Sequence, residues 1–276
     1  ALLRDMQPVD WLVVDHYAID ARWESQIRLL ADRIMVIDDL ADRSHDCDLL
    51  LDQNLYEDMN TRYDGLLPEG CRKYLGPCHA LLRPEFAKAR ASLRKRDGAV
   101  RRILIFFGGS DPTNETAKAL QAVIALNRPD IAVDVIVGAT NPHRAEIEAQ
   151  CAFLPNVAYH CQVENMAELM ASADLAIGAG GSATWERCAL GLPSITLITA
   201  ENQRQTTFSV ASAGATWNMG RSKDVSVDSL VKVINQLAGD ASSQMQMGRN
   251  SLLLMRNEYY YNGVAALIEA MVEGKE

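Results

Sequence analysis

The sequence predicts an α/β protein built on parallel sheets with helices wound over both faces. Short apolar runs alternate with amphipathic stretches along most of its 276 residues, the order expected of strand–helix units. These runs are continuous in Val, Ile and Leu, as in strands buried on both faces of a parallel sheet. Asp15, Asp38 and Asp52 each close such a run, and the C-terminal edge of an open α/β sheet is where ligands bind.

The first strand is WLVVD (11–15), followed by a helical pattern from Asp20 to Asp32. IMVID (34–38) and DLLLD (48–52) supply the next two strands. A second series opens with RRILIFFGGSDPTNETAKAL, in which a strand over 102–107 runs into Gly108-Gly109 and a helix starts near Thr113. Further strands fall near 132–137, 157–160, 174–178 and 194–198, with helices between them. Met245 to Ala270 reads as one or two helices, with Leu252, Leu253, Leu254 and Met255 as packing residues. The division into domains is placed at 1–95 and 96–276. Across it runs RPEFAKARASLRKRDGAVRR (83–102), with eight basic residues against Glu85 and Asp97. This stretch is expected to be a solvated helix and linker, with the weaker alternative that its charge biases a cleft toward an anion.

The composition is that of a globular domain, 48% hydrophobic and 23% charged. A formal net charge of −9 disfavours a nucleic-acid backbone as partner, because binding to a polyanion relies on clustered Lys and Arg. No apolar run reaches membrane-spanning length. ALLRDMQPVDWLVVD is interrupted by charge too early for a signal peptide, so a cytoplasmic protein is expected. The six cysteines show no disulfide framework and are expected to be reduced thiols. His45-x-Cys47, Cys78-His79 and His160-Cys161 lack zinc-site spacing, and no metal is expected.

Two strand–glycine–helix junctions carry the chemistry, FFGGSDPTN (106–114) and IGAGGSATWE (177–186). Glycines let a phosphate approach the backbone, and free N–H groups at a helix start attract anions. Ser110 and Ser182 add hydroxyl donors. Either junction alone reads equally well as an ordinary tight turn, whereas two in one domain point to a nucleoside diphosphate. Glu186 lies four residues after Ser182, about one helical turn on, where a carboxylate can accept hydrogen bonds from a ribose diol. Asn202 and Gln203 follow a strand at the same edge and can address sugar hydroxyls.

GAGGSATWERCALGLPSITLI…ENQ resembles the UDP-binding half of the GT-B glycosyltransferases, in particular the MurG-like enzymes. HYAID, IDDLADRSHDCDLLLDQN, YLGPCHALLRPEF and FFGGSDPTN together resemble the narrower UDP-2,4-diacetamido-2,4,6-trideoxy-β-L-altropyranose hydrolase (PseG) family of pseudaminic acid synthesis. The resemblance implies two Rossmann-like domains around a central cleft, with a UDP-sugar bound without a metal or other cofactor. By motif position it places UDP on Gly108, Gly109, Ser110, Gly180, Gly181 and Ser182. It places the ribose on Glu186, the uracil near Val163, and the sugar by Asn202, Gln203, His16 and Tyr17. The family's base is a histidine in a G-x-G-H-x-x-R loop that this sequence lacks, so the first domain is expected to be incomplete. His16 is then the substitute base in the first domain, and His45 is expected to be a solvated loop residue. The implied reaction is hydrolysis of the UDP-sugar, with a MurG-like transferase and a catalytically silent binding module as alternatives.

Overall fold

The structure is a computed structural model that describes residues 8–256 and 263–272. Two compact units are present, one formed by 8–81 with 263–272 and the other by Leu82–Arg256. Among the described residues no helix is long and apolar enough to cross a membrane.

The first unit holds β1 (Val9–Val14), α1 (Ala21–Ile27), β2 (Ala31–Ile37), β3 (Leu49–Asp52) and β4 (Arg72–Leu75). Its four strands lie parallel in the order β1-β2-β3-β4. Asp20 starts α1 by accepting a hydrogen bond from the Arg22 amide, as an N-cap does. Successive side chains of a strand point to opposite faces, which explains the continuous apolar runs. Ile34, Val36 and Leu50 pack with Val14 and Tyr63 on one face. Met35, Leu49 and Leu51 pack on the other against Leu267 and Ala270 of the helix Gly263–Val272. That helix belongs to the first unit, although the sequence places it with the second domain. Residues 257–262 of the expected helical tail lie outside the described residues.

The second unit runs α2 (Pro84–Ala91), β5 (Arg102–Phe106), α3 (Glu115–Leu126), β6 (Ala132–Val137), α4 (Arg144–Cys151), β7 (Val157–Cys161) and α5 (Met166–Ser172). It continues through β8 (Leu175–Ala179), α6 (Ala183–Ala189), β9 (Ser194–Ile198), α7 (Arg204–Ser212), β10 (Trp217–Arg221), α8 (Val227–Ala238) and α9 (Ala241–Leu254). The sheet is parallel throughout, in the order β10-β9-β8-β5-β6-β7. Winding therefore starts at β5, runs outward to β7, then restarts on the other side of β5 at β8. One face is covered by α3 and α8 through Leu120, Val123, Leu230 and Ile234. The other is covered by Phe86, Met170 and Leu190 against Leu104, Ile136 and Ala176. The sequence misses β4 and β10. Both are edge strands, and their five-residue or shorter runs carry polar residues on the open side, as edge strands do.

The basic stretch is not a solvated linker. Phe86 of α2 is wholly buried in the second unit's core, which moves the boundary to 81/82. Arg96 donates to the carbonyls of Met170, Ala171, Ala173, Leu190 and Gly191 at 2.7–3.3 Å. Arg94 reaches the Ser172 and Ala173 carbonyls and the Asp174 carboxylate, and Arg90 bonds the Ala189 carbonyl. These carbonyls are the unsatisfied C-terminal groups of α5 and α6, where cations are favoured.

Arg96→Met should therefore destabilise the second unit by about 1.5–3 kcal/mol, the scale of a charged hydrogen-bond hub lost from a part-buried site. Arg101→Ala, which removes an exposed pair with Asp97, should leave stability almost unchanged. Urea melts of the two variants check the contrast, and equal effects would contradict it.

Candidate functional site

At the C-terminal edge of the second sheet, the connections after β5 and β8 diverge because the helices that follow them lie on opposite faces. A cavity of about 290 Å³ opens there. One side is formed by Phe106, Phe107, Gly108 and Gly109, the other by Ala179, Gly181, Ser182, Ala183 and Glu186, with Arg83, Met166 and Gln203 completing the wall. Gly108 has φ 91°, a left-handed backbone that a side chain would strain.

The two junctions differ in chemistry. The sequence predicts an open helix start at both, but α3 is already closed. The Asp111 carboxylate accepts from the amides of Glu115 and Thr116 at 3.0 and 2.9 Å, and from the Thr116 hydroxyl at 2.6 Å. A second anion has no place on those amides. At the β8–α6 junction, Ser182 makes no capping bond. Among the described residues the amides of Gly181, Ser182 and Ala183 have no protein acceptor. The β8–α6 turn is thus the open donor cluster of the cavity.

Glu186 stands one turn along with a side chain 20% exposed. Burial raises its pKa, and the nearby Arg83 guanidinium at 3.4 Å opposes that shift. Arg83 lies between Glu186 and Glu85, the latter at 2.9 Å, and over the ring of Phe86. The sequence does not single Arg83 out. Its signal is only the Pro that follows it, which starts α2 and fixes Arg83 at the helix entrance. Gln203 accepts from the Thr199 amide and hydroxyl through one oxygen, both at 3.0 Å, which leaves its amide nitrogen for the cavity.

Six of the sequence-selected residues thus meet: Gly108, Gly109, Gly181, Ser182, Glu186 and Gln203. Gly180 is packed against Thr207. Ser110 and Asn202 are exposed, and Val163 packs beside Met166 and Phe86; none of these four lines the cavity. His16 and Tyr17 follow β1 in the first unit and are exposed. The His16 ring accepts from the Ala18 amide, and Tyr17 hydrogen-bonds Asp39.

His45 is not solvated. It is buried, with its Nδ1 2.8 Å from the equally buried Glu24 carboxylate, whose other oxygen accepts from the Asp46 amide. This ring ties α1 to the loop before β3. Asp38 and Asp52, both at strand ends, converge on the Tyr63 hydroxyl. Its neighbours are the Asp38 carbonyl, one Asp38 carboxylate oxygen and one Asp52 carboxylate oxygen, at 3.0, 3.2 and 3.1 Å. One O–H cannot serve three acceptors, so the arrangement is satisfied when Asp52 carries a proton. Burial pushes the Asp52 pKa up to about 6, against the opposing effects of the Asn54 amide and Arg62.

Comparison with known proteins agrees with this architecture. Residues 103–260, more than half of the chain, match the Glycosyltransferase family 28 C-terminal domain, and the chain belongs to that family. It is 30% identical over 187 residues to the spore coat polysaccharide biosynthesis protein SpsG of Bacillus subtilis, covering 66% of this chain and 53% of SpsG. It is 28% identical over 204 residues to the UDP-2,4-diacetamido-2,4,6-trideoxy-beta-L-altropyranose hydrolase of Campylobacter jejuni, covering 74% of this chain and 71% of the hydrolase. The chain spans only 53% of SpsG and 43% of a Methanocaldococcus jannaschii protein to which it is 26% identical over 209 residues. The fold is that of the GT-B glycosyltransferases. Acinetobacter baumannii MurG superimposes with a TM-score of 0.61 at 14% identity, over 92% of this chain and 76% of MurG.

A carboxyl whose pKa rises on folding holds its proton more tightly in the fold. The contribution of Asp52 to stability is therefore full below the unfolded pKa near 4. It falls by about 2–3 kcal/mol as pH rises through the folded value near 6. Asp52→Asn should abolish that loss, raising the melting temperature at about pH 7.5 and changing it little at about pH 4.5. A lower melting temperature for the variant at the higher pH would show that Arg62 holds Asp52 ionised instead.

Proposed function

We propose that this member of the family binds UDP in the cavity of its second unit and serves the hydrolysis of a UDP-sugar. The observation that carries the reading is the conjunction of three unbonded amides with a half-desolvated carboxylate one helical turn away. The amides of Gly181, Ser182 and Ala183 suit the oxygens of a diphosphate, which gain most from fixed N–H donors in a partly water-free site. Glu186 suits the ribose diol, with Arg83 opposing the effect of burial on its carboxylate. The free amide of Gln203 suits a sugar hydroxyl, and the β7–α5 connection around Val163 suits the uracil.

In the reaction, water attacks the anomeric carbon, the C1–O bond breaks, and UDP departs with the bonding electron pair. The attacking water gives up a proton to a base. His16, at the C-terminal end of β1, is the histidine proposed for that role, taking the proton at Nδ1 once that atom releases the Ala18 amide, with Tyr17 positioning the sugar. Hydrolysis rather than transfer and the 2,4-diacetamido-2,4,6-trideoxy hexose rest on the similarity to the Campylobacter hydrolase; a place in pseudaminic acid synthesis rests on the motif resemblance, and a cytoplasmic setting on the sequence reading.

UDP should bind clearly more tightly than UMP by calorimetry, because the open amides address the second phosphate; equal affinities would sink the reading. Glu186→Ala should weaken UDP by about 1.5–3 kcal/mol with little change in melting temperature. A large melting shift at unchanged UDP affinity would make Glu186 a structural acid. Product analysis of UDP-sugar with and without an alcohol acceptor separates hydrolysis from transfer. Turnover that vanishes in His16→Ala would assign the base.

A further inference from the structure

Arg187 has no role in the binding scheme above, yet its position is hard to explain without an anion. It is only 2% exposed. Helical side chains lean toward the N-terminus, so its guanidinium folds back beneath the β8–α6 turn. One nitrogen donates to the Ala179 carbonyl at 2.9 Å and to the Thr184 hydroxyl at 3.0 Å. The Nε atom is buried with no acceptor. Gly178 lies beside the guanidinium: a Cβ there would collide with the Phe106 carbonyl and come within 3.1 Å of that group. Ala179 and Phe106 both line the cavity, so the cation sits directly behind the cavity wall.

No carboxylate among the described residues forms a direct ion pair with this cation; the adjacent Glu186 acts on it only through its field. Glu186, the adjacent residue, is turned to Arg83. Burying a charge without an ion-pair partner is costly, and burial lowers the proton affinity of Arg187, with the Glu186 field opposing that shift. Arg90, Arg94 and Arg96 differ, since each spends its donors on helix-end carbonyls at the part-exposed rim.

We infer that Arg187 is the fixed counter-charge for the diphosphate, a positioning residue that holds the β8–α6 turn from below and supplies a full positive charge behind its open amides. This rests on the reading that the cavity takes UDP. Arg187 touches no ligand atom and acts through the Ala179 carbonyl and through its field. In a water-poor wall a field of this kind is weakly screened. The ligand class it selects is a nucleoside diphosphate over the monophosphate, because the second phosphate brings the extra negative charge.

The test is calorimetry with UDP, UMP and uridine on wild type, Arg187→Gln and Arg187→Lys. Glutamine keeps a donor for Ala179 and Thr184 but removes the charge. It should lose roughly tenfold or more of the UDP-over-UMP preference, the scale of removing one weakly screened charge from behind the site, while uridine affinity stays unchanged. Lysine should retain most of the preference. If the glutamine variant does not fold, Arg187→Met is read by the same ratio. A neutral variant that keeps the preference, or that weakens all three ligands alike, overturns the inference and leaves Arg187 structural. Wild type without any preference for UDP would instead defeat the reading of the cavity itself, and this inference with it.

Discussion

The second unit depends on one topological constraint. Its six strands are all parallel, and the winding reverses between β5 and β8. Right-handed crossovers then send the chain leaving β5 to one face and the chain leaving β8 to the other. No helix can cover the edge between them, and a crevice is unavoidable. The residues at that edge are glycines and small polar groups because the backbone must turn sharply there while remaining open. The cavity is a consequence of strand order, and its chemistry a consequence of which amides the flanking helices leave unused.

That chemistry is asymmetric. Asp111 consumes the amides at the start of α3 and makes the first junction a rigid, self-satisfied wall. The second junction stays open, above a short helix of seven residues. Few peptide dipoles are aligned in so short a helix, so a whole buried charge on Arg187 outweighs them as a source of positive potential. The opposite ends of α5 and α6 receive Arg94, Arg96 and Arg90. The same residue type therefore closes helix ends on one side of the unit and, on the other, stands without an ion-pair partner among the described residues.

The first unit treats charge differently. Glu24, His45, Asp38, Asp52 and Tyr63 are all buried and joined through short contacts. Here the acidic groups that end β2 and β3 share the Tyr63 hydroxyl, with Arg43 paired to Asp38 and Arg62 to Asp52. The exposed groups at that sheet edge are His16 and Tyr17, which β1 delivers. Strand-end carboxylates are thus the framework of the edge, and the residues open to solvent are those on its rim.

The sequence alone determined the class, the strands β1, β2, β3, β5, β6, β7, β8 and β9, and both glycine junctions. Continuous Val, Ile and Leu runs and the clustered glycines, Gly108 with its positive φ among them, are local signals, set by burial on two faces and by backbone sterics. Gly181, Ser182, Glu186 and Gln203 were legible because each lies within a few residues of a strand end. The tertiary structure decided what depends on distant partners. Edge strands β4 and β10 exist through pairing with β3 and β9, not through their own hydrophobicity. Asp111 closing α3, Arg83 facing Glu186 from 103 residues away, the arginines of 90–96 on the ends of α5 and α6, and His45 on Glu24 follow from packing alone. A side chain's charge and length are written in the sequence, but whether it meets solvent, a carbonyl or nothing is set by the elements the fold brings beside it.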